Sequence, residues 1–238
     1  ISQNADQGSI GIFGDSFAGN ATEDGSASRL DGSAKLTLER LCGDKRPRIY
    51  GLGYGGYTVC DTATTATNLS GVFNGFNATA PDIAVIMAVN NDVISTDANA
   101  FHATTGTLAN LKSWATALSA NGRTKRVIIT TPGSLRQNVS LDTTLNNIRR
   151  SALSDLVFSL PAWWDATYPM NKGFVRVFDL FSVLGGDADN NRNYIGYWDG
   201  VGNIATGGSV SPGTPSNRHI HTSGNIIVGQ GLFGLLTN

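Results

Sequence analysis

Pro81-Asp82-Ile83-Ala84-Val85-Ile86-Met87-Ala88-Val89-Asn90-Asn91-Asp92 is the stretch on which the fold turns. From Ile83 to Ala88 it is almost continuously apolar. A strand buried on both faces has this character, and such strands belong to parallel sheets covered by helices. The run then stops abruptly in three polar residues. Outward from it, short β-rich runs alternate with helical periodicity. Ser9 to Phe13 reads as a strand ending at Gly14-Asp15-Ser16, and Arg48 to Tyr50 opens another that enters the glycine run Gly51 to Gly56. Arg126 to Thr130, stopped by Pro132-Gly133, and Phe174 to Phe178 complete five strands. Between them, Ser33 to Cys42 reads as a helix stopped by Gly43-Asp44, and Leu108, Leu111, Trp114 and Leu118 recur at helical spacing. Leu141, Leu145, Ile148, Ala152 and Leu156 fall on one face of a further helix, and Ser223 to Leu236 reads as a closing one. This alternation implies a parallel sheet with right-handed crossovers. The expectation is a single α/β domain over residues 1–238, a three-layer α/β/α arrangement around a five-stranded parallel sheet. Residues 185–217 stand apart as a polar insertion, far longer than the usual connection of about 4–6 residues.

Composition narrows the function. The formal net charge is −1 and charged residues make up 15% of the chain, against roughly 25% in an ordinary globular protein. So neutral a chain has no electrostatic case for nucleic acid or for an anionic membrane surface. The apolar runs Ile83 to Val89 and Ile226 to Leu236 fall short of the roughly 18 residues of a membrane span. Cys42 and Cys60 make neither a disulfide framework nor a zinc site, and whether they pair is open at this level. The opening at Ile1 reads as that of a mature product or of a domain from a longer chain. Much Asn and Thr with little charge leans towards an extracellular, secreted or virion-associated protein.

Ligands of an open parallel sheet bind at the carboxyl ends of its strands. Three strand ends here carry Gly14-Asp15-Ser16, the glycine run to Gly56, and Asn90-Asn91-Asp92, while the last part of the chain offers His219 and His221. A hydroxyl nucleophile, oxyanion donors and an imidazole base are the requirements of acyl transfer. These blocks resemble those of the SGNH, or GDSL, hydrolase family. Ile10-Gly11-Ile12-Phe13-Gly14-Asp15-Ser16 matches its first block, with Ser16 as nucleophile, and Gly55-Gly56-Tyr57-Thr58 looks like its second, whose oxyanion glycine maps to Gly56. The stretch ending in Asn91-Asp92 resembles its third, Gly-x-Asn-Asp, with Asn91 as oxyanion asparagine and Val89 in place of the glycine. The resemblance implies a flavodoxin-like SGNH hydrolase fold, with an oxyanion hole of Ser16, Gly56 and Asn91 and neither metal nor cofactor.

The fourth block matches unevenly. The family shows Asp-x-x-His with a glycine five residues later. His219 stands at that distance from Gly224, but Ser216 occupies the Asp position. His221, preceded by Ile220, is the alternative base, though too close to Gly224. The missing carboxylate has two possible replacements. Asp199, in Trp198-Asp199-Gly200-Val201, can return beside His219 if the loop folds back, or a backbone carbonyl orients the ring. The implied activity is that of a serine esterase removing a small acyl group, an O-acetyl above all, from a carbohydrate or polysaccharide. An O-acyltransferase and a non-catalytic carbohydrate-binding or structural domain are the alternatives.

Other signals have plainer readings. Gly51, Gly53 and Gly56 spell a dinucleotide fingerprint, but they follow the second strand and no acidic residue lies about 20 positions on. Asp187, Asp189, Asn191 and Asn193 alternate like a calcium loop, yet Arg192 and Trp198 stand where Gly and Glu are needed. Asp15 reads as a structural cap behind Ser16, and His102 as a surface residue. Trp163, Trp164 and Tyr168, placed beyond a helix end, suit core or lid packing better than a sugar platform. The sequons at Asn20, Asn68, Asn77 and Asn138 are expected by chance in so Asn- and Thr-rich a chain.

Overall fold

The computed structural model describes residues 8–15, 18, 38, 40–43, 47–60, 69–95, 106–133, 144–184 and 222–237. Five strands lie in one sheet: β1 (Ser9–Gly14), β2 (Arg48–Gly53), β3 (Ile83–Met87), β4 (Arg126–Thr130) and β5 (Val175–Phe178). All neighbours are parallel, in the order β2-β1-β3-β4-β5, which is the flavodoxin-like order. The helices are α1 (Leu69–Ala78), α2 (Asn90–Val93), α3 (Gly106–Ala120), α4 (Thr144–Phe158), α5 (Leu160–Thr167), α6 (Leu180–Val183) and α7 (Thr222–Thr237).

Alternate residues of the central strands feed two apolar layers, as the period of two in a strand requires. Phe13, Ile86 and Ile129 point to one side, where Phe73 and Phe76 of α1, Leu111 and Trp114 of α3 and Trp164 of α5 cover them. Ile12, Val85 and Ile128 point to the other, against Leu38 and against Val228 and Leu232 of α7. Three layers result, as expected. The five strands are those anticipated, except that β2 continues through half of the glycine run: Gly51, Leu52 and Gly53 pair with Ile12, Phe13 and Gly14. Among the described residues no helix is long and apolar enough to cross a membrane.

Three helix readings need correction. First, α1 was unanticipated. Leu69, Val72, Phe73 and Phe76 do recur at i, i+3, i+4 and i+7, but Gly71 and Gly75 between them weaken the propensity signal. Second, α4 buries only part of the expected face. Leu145 and Ile148 are 56% and 62% exposed, Ala152 and Leu156 are half-buried with Leu156 packed against the core, Leu141 lies outside the described residues, and the helix buries Arg150, Leu153, Ser154 and Val157. The Arg150 guanidinium lies 4.0 Å over the Phe181 ring, so a cation occupies an inward position that an apolar count misses. Third, Trp163 and Trp164 do not trail a helix end but sit inside α5, which Pro161 helps to start. Trp164 is wholly buried, stacks on Phe174 and donates its indole N–H to the Asn171 carbonyl at 2.8 Å. Phe174 immediately precedes β5, so this aromatic group packs at the amino end of the sheet, as core. Of the expected helix from Ser33 to Cys42, Leu38 and Arg40 to Cys42 are helical, and 33–37 and 39 lie outside the described residues. Cys42 and Cys60 are not joined by a disulfide.

Candidate active site

Because all five strands run the same way, their carboxyl ends form one edge. At that edge β1 and β3 approach so closely that only glycine fits at Gly14: a Cβ there would lie 1.9 Å from the Met87 carbonyl oxygen. The closeness lets the Asp15 N–H donate to the same carbonyl at 3.1 Å, while the Gly14 carbonyl accepts from the Tyr54 N–H at 2.9 Å. The residue preceding Ser16 is thereby tied to β3, and the turn after β2 is tied to the end of β1.

The β2 turn holds Gly56, exposed, at a φ of +79° that side chains rarely tolerate. The turn closes by a bond from the Tyr57 N–H to the Tyr54 carbonyl, 3.2 Å. After β3, the chain enters the single-turn helix α2 through Val89. Its φ of −95° and ψ of 3° suit a side chain, and its side chain is wholly buried in the core. The valine in place of the expected glycine is therefore accommodated without strain.

The first three residues of α2 each reach a different place. Asn90 donates its backbone N–H to the Asp15 carboxylate at 3.1 Å and its side-chain Nδ2 to the same oxygen at 3.5 Å, and its side-chain Oδ1 accepts from the Gly133 N–H at 3.0 Å. Asn91 donates from Nδ2 to the Tyr57 carbonyl at 3.0 Å. Asp92 accepts from the N–H groups of Val59, 3.0 Å, and Cys60, 2.7 Å, and from the Thr107 hydroxyl, 2.7 Å. Asp92 is wholly buried; burial pushes its carboxyl pKa above the usual range, against the pull of those donors. Burial and the neighbouring Asp92 charge push the Cys60 thiol up to about 12, so it stays protonated, and Sγ donates to the Ser95 hydroxyl at 3.4 Å.

Gly56 and Asn91, expected together, are therefore brought together: the Asn91 amide bonds the residue that follows Gly56. An Nδ2 carries two hydrogens, so the Tyr57 carbonyl occupies one. The Asp15 carboxylate is a buried tie between the end of β1 and the start of α2. Ser16, His219, His221, Asp199, His102 and the 185–217 insertion lie outside the described residues. Asn90 and Asp92 were read from the sequence as part of a polar strand end, but without a role of their own. Among the described residues no group of three or more His, Cys, Asp or Glu could hold a metal ion.

No protein-family model matches the chain, and no curated protein matches its sequence. Solved structures do match in shape. A member of the lipolytic G-D-S-L family from Veillonella parvula superposes with a TM-score of 0.56 at 15% identity, covering 97% of this chain and 98% of that one. The fold is that of the SGNH, or GDSL, hydrolases. A carbohydrate acetylesterase family member from Sinorhizobium meliloti matches the same fold at a TM-score of 0.60 and 17% identity, over 96% and 97% of the two chains. A variant of an acetyl-xylooligosaccharide esterase from Geobacillus matches at 0.55 and 15%, over 94% and 92%. Within this SGNH fold, the three blocks read from the sequence fall at the ends of β1, β2 and β3, which are adjacent in the sheet.

Proposed function

We propose that the protein is a serine esterase that removes a small acyl group, foremost an O-acetyl, from a carbohydrate through an acyl-serine intermediate. The observation that carries this reading is the bond from Asn91 Nδ2 to the Tyr57 carbonyl, which sets an amide donor beside the exposed Gly56 turn. The Asn91 amide and the Gly56 turn are thus neighbours at the carboxyl edge of the sheet, beside the strand that leads into Ser16. The SGNH fold and the acetylesterases among its structural neighbours support the choice of ester, and the weakly charged composition suits a neutral sugar substrate.

In the proposed mechanism His219 takes the Ser16 hydroxyl proton as the oxygen attacks the ester carbonyl. The developing oxyanion is met by the N–H groups of Ser16 and Gly56 and by the second Nδ2 hydrogen of Asn91. His219 then returns the proton to the leaving alcohol, and water attacks the acyl-serine by the same route in reverse. Asp199 or a backbone carbonyl orients the imidazole. An extracellular or virion-surface setting is part of the same proposal.

The first test is 4-nitrophenyl acetate hydrolysis by the wild type, Ser16→Ala, His219→Ala and His221→Ala, followed by acetate release from acetylated xylan. Turnover lost in the Ser16 and His219 variants and kept in the His221 variant is the expected result. A wild type inert both to the ester and to a fluorophosphonate probe refutes the esterase reading and leaves a binding domain.

A further inference from the structure

The turn bearing Gly56 packs through its two tyrosines, the Tyr54 ring edge-on to Phe13 and 5.3 Å from the Tyr57 ring, while a Cβ placed on either Gly55 or Gly56 would meet nothing within 4 Å among the described residues. Its backbone is tied at both ends. At one end the Tyr54 N–H is held by the Gly14 carbonyl. At the other, Val59 is held twice: its N–H by Asp92 at 3.0 Å and its carbonyl by the Asn110 amide at 2.6 Å. The Cys60 N–H is the second group on Asp92. The same Asp92 follows Asn91 on α2, so one carboxylate stands between the residue bearing the side-chain donor and the turn bearing the backbone donor.

A wholly buried carboxylate is costly unless several donors surround it. Here three do, from two segments: the end of the Gly56 turn and the start of α3. An apolar residue would fill the space at lower cost, but it would leave two buried backbone N–H groups without an acceptor. The arrangement makes sense as a clamp.

Building on the esterase reading, we infer that Asp92 is the positioning residue of the oxyanion hole. By gripping the Val59 and Cys60 N–H groups it sets the spacing between the Gly56 N–H and the Asn91 amide. Thr107, whose hydroxyl donates to the Asp92 oxygen that also accepts from Cys60, steadies the grip from α3.

The experiment measures kcat and KM for 4-nitrophenyl acetate in Asp92→Asn, Thr107→Val and Thr107→Ser. Values are normalised to the fraction of sites a fluorophosphonate labels at completion, and Asp92→Asn is measured again in an Asn91→Ala background. Misplacing the donors should lower kcat about ten- to a hundredfold in Asp92→Asn, since small misplacements of a reacting group have effects of that order. KM should stay within about twofold, because the interaction lost is one made in the transition state. Thr107→Val should show a smaller fall in kcat that Thr107→Ser reverses. With Asn91 already removed, Asp92→Asn should cost a smaller factor than in the wild type, as residues acting on one site are non-additive. Equal factors in both backgrounds, or unchanged kcat in both Asp92→Asn and Thr107→Val, overturn the inference; should Asp92→Asn not fold, Thr107→Val and its reversal decide alone. A wild type with no turnover overturns the esterase reading and this inference with it. An active wild type, silenced by Ser16→Ala and indifferent to Asp92 and Thr107, overturns this inference only.

Discussion

Replacing Asn91 by Ala separates the chemistry of the site from its folding. Two functions of the amide are removed at once, the bond to the Tyr57 carbonyl at 3.0 Å and the hydrogen proposed for the oxyanion. The first is an ordinary hydrogen bond at a half-buried side chain, with a net contribution of about 0.5–1.5 kcal/mol. For a chain of this size a melting temperature moves roughly 2–4 °C per kcal/mol, so the variant should melt about 1–6 °C lower and stay folded. The second is a transition-state interaction whose loss costs about 2.7–4 kcal/mol, a fall in kcat of about 10²–10³. The two effects differ in both size and readout. Thermal unfolding by circular dichroism reports the first, and kcat for 4-nitrophenyl acetate the second. Asn91→Asp sharpens the comparison: it keeps the shape but offers an anion where a donor is needed, so it should be at least as inactive as Ala. Turnover within about threefold of wild type in Asn91→Ala, or substantial turnover in Asn91→Asp, would show that the oxyanion is stabilised elsewhere.

Other substitutions probe the frame around the site. Gly14→Ala must push its Cβ from 1.9 Å to at least 3.0 Å from the Met87 carbonyl, parting β1 from β3; a loss above about 3 kcal/mol is expected in urea unfolding. Gly56→Ala meets no neighbour within 4 Å among the described residues and bears the strain of its positive φ, so the same assay should show a loss of about 1–2 kcal/mol. Leu153→Ala, in the buried face of α4, should cost about 2–5 kcal/mol, whereas Leu145→Lys on its exposed face should stay within about 0.5 kcal/mol. At the amino end of the sheet, burial tends to raise the Asp82 pKa, but the Ser9 N–H and hydroxyl and the Arg123 guanidinium outweigh it and hold the carboxyl below its ordinary value. A depressed folded-state pKa contributes stability above the unfolded-state value of about 3.9 and loses it as pH falls through the folded-state value. The melting difference between wild type and Asp82→Asn should therefore be full at pH 6 and close as acid is added below about pH 4; a difference independent of pH would count against the network.

What could be read directly from the chain was whatever its own residue order expresses. Strands β1, β3 and β4 are buried on both faces, so Ile10 to Phe13, Ile83 to Met87 and Val127 to Ile129 had to be apolar run by run. The candidate donors Gly56 and Asn91 were legible for a related reason: each follows a strand, and strand ends are where a parallel sheet gathers its chemistry. Helix α4 was misread because its inward face includes Arg150 and Ser154, whose burial depends on Phe181 and on the preceding turn rather than on apolar character. Asp92 was passed over for a deeper reason. Its partners Val59, Cys60 and Thr107 lie 33, 32 and 15 residues away, so the polar strand end that contains it marks the place but not its role. Its neighbour Val89 makes the converse point: a glycine was expected there, yet the backbone at that position takes up a conformation open to any side chain. Local pattern thus locates the groups proposed to meet a substrate, while the groups proposed to set their spacing become visible only when distant segments are folded against one another.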